Sequence, residues 1–269
     1  MTESLLIHTM TSVSLIQGAS RGIGLQFCKS LLKRSKDATV IATCRNPDSA
    51  EDLHKLKNDY PASLHIYKID VTKESEIKRT SSEIAKNFDN LDLLINSSAI
   101  LHPSGRGETS LRDVSSEGIM NTIAVNTAGP LLVAKYFTPL LTKGNGSFGL
   151  QDSEPKKKHA AVLVNMSAKV GSITENGLGG WYSYRMAKTA LNMATKNLSI
   201  ELGRGKNRVI CVSLHPGAVD TDLSRPYHKN VPNLFSTEYS VDCLLKVIDS
   251  LKVEDSGKFL TYDRTEMKY

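Results

Sequence analysis

The sequence predicts a single doubly wound α/β domain, a seven-stranded parallel sheet with helices on both faces. Three observations carry that expectation. Seven short apolar runs are separated by segments long enough for crossover helices. The runs are nearly continuous in Val, Ile and Leu rather than alternating with polar residues, as strands covered on both faces are. A glycine-rich turn, Gly18-Ala-Ser-Arg-Gly22-Ile-Gly24, follows the first run directly and opens a helical pattern. With 269 residues, 40% of them apolar, the chain can fill one such domain.

In chain order, residues 1–12 form a short N-terminal extension without the apolar core of a secretory signal. The domain proper spans 13–269. Strands are expected at 13–16, 39–43, 64–69, 91–96, 160–165, 208–214 and 257–262, with helices at 25–33 and Tyr182–Leu202. Residues 142–159 are polar, contain Gly144, Gly146, Gly149 and Pro155, and carry the run Lys156, Lys157 and Lys158. They read as a locally disordered surface insert. Because they precede a strand, they belong at the sheet edge opposite the ligand-binding one and are a poor candidate for a lid.

The net charge is +6 and the isoelectric point lies near 9.0. Half of that excess matches the three-lysine run, which has no interleaved aromatic residue and so reads as a solvated loop, with no nucleic acid expected as a partner. No apolar stretch approaches membrane-span length, so no membrane partner is expected. The four cysteines are scattered and lack metal-ligand spacing, which implies no metal and a reducing compartment. A cytoplasmic location is expected, with an organellar one left open.

In doubly wound sheets ligands bind beyond the carboxyl ends of the strands. Asp70, Asn96, Ser167 and Pro216-Gly217 all follow apolar runs and should gather on that edge. The glycine turn joins them there. A helix start offers unpaired N–H groups and the positive end of the dipole, and glycine lets an anion approach, so Gly18, Ser20, Arg21, Gly22, Ile23 and Gly24 are candidates to hold a dinucleotide's phosphates. After the second strand stands Thr43-Cys44-Arg45, where an NAD-selective site usually places an acid. Arg45 and Arg21 can pair with a 2′-phosphate instead, which selects NADP(H).

Tyr184 and Lys188 lie four apart on the predicted helix and so share a face. With nine tyrosines and 34 basic residues such spacing is unremarkable by itself, and its weight comes from the setting. A free phenol has a pKa of about 10, and a neighbouring ammonium is expected to lower it and make the pair a usable acid and base.

At these residues the chain resembles the short-chain dehydrogenase/reductase family, from about Val13 to the end. The landmarks run in the family's order: the Gly18–Gly24 loop, Asp70-Val71, Asn96, Asn126, the Tyr184/Lys188 pair, and Pro216-Gly217-x-Val219-x-Thr221. Residues 126–130, 179–184 and 256–263 are most similar to the sniffer and C-factor-like carbonyl reductase branch. The resemblance implies a Rossmann domain and the reduction of a small-molecule aldehyde or ketone to an alcohol by NADPH.

In it Tyr184 is the proton donor, Lys188 holds the nicotinamide ribose and tunes the phenol, and Asn126 positions a proton-relaying water. Asp70 and Val71 meet the adenine, Asn96 and Ser97 line the cofactor, and Pro216, Gly217, Val219 and Thr221 wrap the nicotinamide end. Walls of the substrate pocket are expected from 170–181 and from 222–235, the second as a mobile cover. A homodimer or homotetramer through helices 131–141 and Tyr182–Leu202 is also implied.

Three departures stand out. Gln17 replaces a frequent threonine, and Ser97-Ser98-Ala99 replaces Asn-Ala-Gly. Gapless alignment of Asn165-Met-Ser-Ala-Lys-Val-Gly171 puts Ala168 where the family has its catalytic serine. Ser167, one place earlier, is taken as the catalytic serine, with Ser172 as a possible stand-in. Ala168 also keeps open a second reading, a catalytically weak NADP(H)-binding sensor or interaction protein.

Overall fold

The computed structural model describes residues 12–150, 158–230 and 233–269. Its strands are β1 (Val13–Gln17), β2 (Thr39–Cys44), β3 (Leu64–Lys68), β4 (Leu93–Asn96), β5 (His159–Met166), β6 (Arg208–His215) and β7 (Phe259–Thr261). They form one sheet in the order β3-β2-β1-β4-β5-β6-β7, every neighbouring pair parallel. The order reverses between β1 and β4, which creates the crevice where ligands of such sheets bind.

The helices are α1 (Gly22–Arg34), α2 (Glu51–Asp59), α3 (Glu74–Asn87), α4 (Ser116–Ile123), α5 (Gly129–Leu141), α6 (Tyr182–Leu202) and α7 (Thr237–Asp249). Strand alternation divides them between two cores. Ile16, Val40, Ala42, Leu93 and Val162 pack under α1, α2 and α7, with Phe27, Leu53 and Leu244 as partners. Leu15, Ile41, Leu94 and Leu163 pack on the other face under α3, α5 and α6, with Ile77, Phe137 and Leu198. Both faces are therefore apolar, which is why the runs read as continuous.

Boundaries shift by up to three residues, the largest at α1, which begins at Gly22. β4 begins at Leu93, not at residue 91, because the Leu91 N–H donates to the Leu140 carbonyl at the end of α5. The larger correction concerns 142–159. His159 is the first residue of β5, and residues 142–150 are fastened to the amino-terminal edge. Asn145 N–H donates to Asp92 Oδ1 at 2.6 Å, Leu150 N–H to the Leu251 carbonyl at 2.6 Å, and Phe148 is only 4% exposed in the α1/α7 core. Burial of that one aromatic ring converts a polar, glycine-rich stretch into part of the wall. The remainder of the insert, including Lys156 and Lys157, lies outside the described residues. Among the described residues no helix is long and apolar enough to cross a membrane.

Asp92 ties this edge together. Fully buried, it accepts the N–H groups of Val13 at 2.8 Å and Asn145 at 2.6 Å and the Asn90 amide at 3.2 Å. Burial nevertheless pushes its carboxyl above the usual aspartate range. Asp92→Ala strands two backbone donors in a dry site, at about 1–3 kcal/mol each. Urea unfolding of Asp92→Ala is expected to show a loss of roughly 2–5 kcal/mol. A change within about 0.5 kcal/mol, the usual scatter of a neutral surface substitution, contradicts this.

Candidate active site

At the carboxyl end of β1 the chain turns through Gly18, whose φ of +86° suits glycine. Room is as restrictive as conformation. A Cβ on Gly18 would lie 2.5 Å from Ser98 N, and one on Gly24 would lie 2.1 Å from the Gly18 carbonyl oxygen. The turn is pinned by two N–H donors, Gly18 and Ala19, which share the Thr43 carbonyl of β2 at 2.9 and 3.0 Å.

Two of the sequence departures prove to be one feature. Gln17 Oε1 accepts the Ser98 hydroxyl at 2.7 Å and the Ser98 N–H at 3.3 Å, while Ser97 N–H donates to the Gln17 carbonyl at 2.9 Å. The longer amide at 17 and the hydroxyl at 98 thus complete each other across β1 and β4.

α1 starts at Gly22 with no side chain capping it and no acidic residue in its first turn. Its positive end is left to an anion, the arrangement a dinucleotide pyrophosphate fits. Ile23 packs from this turn against the core. Beyond β2, Ser20, Arg21 and Arg45 border a polar cavity of about 370 Å³ that also meets the start of α2. Arg45 is exposed, and its charge helps hold the Asp70 carboxyl low. Arg21 pairs with Asp222 at 3.1 Å, which Arg225 also grips at 2.6 Å.

Asp70 Oδ1 accepts the N–H and hydroxyl of Thr72, at 3.0 and 2.7 Å. Burial pulls its pKa up, but those bonds and the charges of Lys73 and Arg45 bring it below the usual range. Val71 is buried against Gly129, where a Cβ would lie 2.7 Å from Val71 Cβ. Asn96 sits behind the cradle: its amide donates to the Pro130 carbonyl at 3.2 Å and to Asn165 Oδ1 at 2.9 Å, joining β4 to β5. Asn126 lies in a π-helical turn, Ala124–Ala128, and its amide brackets Ile100, accepting that residue's N–H at 2.9 Å and donating to its carbonyl at 2.7 Å.

After β6, the Pro216 carbonyl accepts the Ser240 hydroxyl, and Gly217 (φ +82°) leaves room for the Phe235 ring. Val219 bridges Phe235, and the Thr221 methyl would lie 3.6 Å from a Cβ on Gly22. The segment after β6 therefore folds back over the first turn of α1. Its 3₁₀ stretch Arg225–Asn230 is anchored by the Tyr227 hydroxyl, which accepts the Gly107 N–H at 3.0 Å. The described part of the expected mobile cover is thus held at both ends.

α6 brings Tyr184 and Lys188 to the same edge. Both are buried, Tyr184 to 6% exposure and Lys188 to 2%. Lys188 Nζ donates to the Met166 carbonyl at 2.8 Å and lies 5.7 Å from the Tyr184 ring centre. The electrostatics correct the expectation that the ammonium lowers the phenol. Burial dominates: it raises Tyr184 above the ordinary tyrosine value and lowers Lys188 to about 7.

A family model described as short chain dehydrogenase matches residues 12–232. The chain belongs to the short-chain dehydrogenase family. Among solved structures it resembles the carbonyl reductase Sniffer of D. melanogaster, at 32% identity and a TM-score of 0.84, over 97% of this chain and all of that one. It also resembles the NADPH-bound carbonyl reductase from chicken fatty liver, at 33% identity and 0.83, over 96% and 99% of the two chains. A 1-hydroxy-2-glutathionyl-2-methyl-3-butene dehydrogenase of Rhodococcus is 30% identical over 96% of this chain and all of its own.

As a short-chain dehydrogenase/reductase the protein is an oxidoreductase, and its serine departure bears on the chemistry. Ser172 is committed elsewhere, donating to the Lys268 carbonyl at 2.6 Å and accepting the Glu175 N–H at 3.2 Å. That removes it as a stand-in. Ser167 follows the last residue of β5, its N–H donating to the Leu214 carbonyl at 2.8 Å, and its buried hydroxyl has no protein partner among the described residues.

One residue at this site, Glu108, escapes sequence reading, whereas Trp181 and Tyr227 fall within the wall segments expected at 170–181 and 222–235. Trp181 stands edge-on to Tyr184 at 6.2 Å and tilts onto Tyr227 at 4.7 Å. Nothing in the spacing of Glu108 announces its place here, since it comes from the loop after β4.

Lys188 makes the burial testable. Its folded-state pKa lies below that of the unfolded chain, so the unfolded chain binds the extra proton between the two values. The cost of burying it is full below about pH 7 and fades as pH rises toward the usual lysine range. The stability of the wild type relative to Lys188→Met is expected to rise on the order of 2 kcal/mol between about pH 7 and about pH 9. Parallel pH curves from urea unfolding contradict it.

Proposed function

We propose that the protein is an NADP(H)-dependent carbonyl reductase that converts an apolar aldehyde or ketone to an alcohol, with Tyr184 as proton donor. The observation that carries this reading is the burial of Tyr184 and Lys188 on one face of α6, at the edge that also holds the glycine cradle. When bound, NADPH supplies hydride to the carbonyl carbon.

The rest falls to this chain's side chains. The cradle of Gly18, Ser20, Gly22, Ile23 and Gly24 holds the pyrophosphate against the start of α1. Arg45 and Arg21 receive the 2′-phosphate, for which Arg21 exchanges its exposed partner Asp222. Asp70 and Val71 bound the adenine pocket. Asn96 and Ser97 support the cradle from β4, and Pro216, Gly217, Val219 and Thr221 close over the nicotinamide end.

Burial keeps the Tyr184 phenol protonated at neutral pH, as a donor to a developing alkoxide requires. Lys188, titrating near 7, can return that proton, and Asn126 keeps the neighbouring loop in place for a relaying water. Ser167 is the candidate to polarise the carbonyl oxygen. A lost hydrogen bond of that kind costs about 3 kcal/mol, so the absence of a hydroxyl at Ala168 slows an enzyme of this design without abolishing turnover.

The pocket walls support an apolar substrate. Trp181 lies against the phenol ring with Tyr227 packed on Trp181, and Ile173 and Leu178 on the adjoining loop are 71% and 94% exposed. A homodimer through α5 and α6 is supported by an exposed apolar row on α6, Tyr182, Met186, Met193 and Ile200, beside Leu131 of α5.

Two measurements test the reading. NADPH oxidation against a panel of aldehydes and ketones is expected to fall at least about a hundredfold in Tyr184→Phe, whose ring fits but cannot donate. Turnover equal to wild type contradicts the role, and tight NADPH binding with no Tyr184-dependent turnover supports the sensor reading carried by Ala168. Arg45→Asp is expected to lower the NADPH/NADH preference at least about tenfold, since a carboxylate repels the 2′-phosphate. An unchanged ratio contradicts NADP(H) selection.

A further inference from the structure

The catalytic helix begins without a cap of its own. Trp181, at the N-cap position, lies in the left-handed region at φ +48° and makes no capping bond. The missing acceptor comes from the loop that follows β4, 75 positions upstream of the Ser183 it meets. Glu108 is 3% exposed, and its carboxylate accepts the Ser183 N–H through Oε1 at 3.2 Å and Oε2 at 3.3 Å. Oε1 also accepts the Ser183 hydroxyl, and the Glu108 carbonyl accepts the Trp181 N–H at 2.6 Å.

The next residue along the helix is Tyr184. The strap has no slack: a Cβ on Gly107 would lie 2.6 Å from Trp181 Cδ1, and Gly107 N–H is held by the Tyr227 hydroxyl at 3.0 Å. His102 Nε2, at 3.9 Å from Glu108 Oε1, is the other ionisable group against the carboxylate.

We propose that Glu108 is the positioning residue of the reaction: as the cap of α6 supplied from outside the helix, it fixes where the first turn sits and hence where the Tyr184 hydroxyl meets a carbonyl oxygen. A buried carboxylate at a helix start is favoured by the dipole, and it satisfies donors that Trp181 cannot. The same loop carries the Tyr227 anchor, so one strap registers both the proton donor and the segment covering it. The inference rests on Tyr184 being that donor.

The full-length protein with NADPH and the best carbonyl of the panel provides the test. Glu108→Ala is expected to lower kcat about 10- to 100-fold per NADPH-binding site, since a displacement near 1 Å can cost a hundredfold. NADPH affinity and KM stay within about threefold, because the Glu108 carboxylate bonds Ser183 and neither the glycine cradle nor the Gly107–Tyr227 anchor. The solvent deuterium effect on kcat is expected to increase, because proton donation becomes slower. Glu108→Gln keeps an acceptor for Ser183 and is expected to restore kcat to within about fivefold of wild type.

If Glu108→Ala does not fold, Ser183→Ala decides, with an expected drop of about 3- to 10-fold in kcat at constant NADPH affinity. A wild-type kcat per binding site in Glu108→Ala, or in Ser183→Ala when it has to decide, overturns the proposal. A fall that Glu108→Gln shares in full also overturns it. Tyr184→Phe separates the two claims: if it is inactive while Glu108→Ala is normal, only the cap fails, and if it is active the donor assignment fails first.

Discussion

Desolvation of two ionisable side chains on one helix face is the constraint around which this molecule is arranged. Tyr184 and Lys188 leave water together at the carboxyl edge of the sheet, and burial drives both toward their neutral forms. Such a pair is costly to hold unless its polar atoms are satisfied, and Lys188 is tied to the Met166 carbonyl at the end of β5. In the proposed reaction this neutral pairing sets the chemistry: a phenol that stays protonated gives its proton up only to a strong base, which a carbonyl oxygen becomes as hydride reaches its carbon.

Around that pair the fold supplies rigidity where the ligand must be met closely. The cradle is narrow because Ser98 and Gly18 approach within contact distance, and the Gln17–Ser98 pair holds β1 and β4 at that spacing. Deeper in the crevice a buried chain of bonds runs from Asn96 to Asn165, to Thr195 of α6 and to Ser213 of β6. It locks three strands to α6 through polar contacts that apolar packing alone does not orient. On the outer side, Thr221 over Gly22 and Tyr227 on Gly107 tie the segment after β6 to both the glycine turn and the loop after β4.

Much of this was legible in the chain. Seven apolar runs became seven strands because both faces of the sheet are covered, and the Gly18–Gly24 turn and the Tyr184/Lys188 spacing mark residues that the fold brings to one sheet edge, because local geometry dictates them. What was not legible depends on contacts between distant segments. Phe148 is a single aromatic in a polar stretch, and only its burial shows that residues up to 150 are wall rather than loop. Gln17 and Ser98 look like two unrelated departures until strand pairing joins them. The sign of the Tyr184 shift is hidden because the neighbouring charge is visible in the spacing, whereas the depth of burial is not. Glu108 is beyond any local pattern, since the helix it caps starts more than seventy residues later.

The most direct measurement is the ionisation of the Tyr184 phenol itself. In protein labelled with ¹³C at the tyrosine ring carbon bearing the hydroxyl, with Tyr184→Phe to assign the signal, the cofactor-free enzyme should keep this phenol un-ionised beyond about pH 10, the range of an exposed tyrosine. Ionisation at or below that ordinary value would contradict the dominance of desolvation at the pair, and with it the protonated donor from which the reductive chemistry is derived.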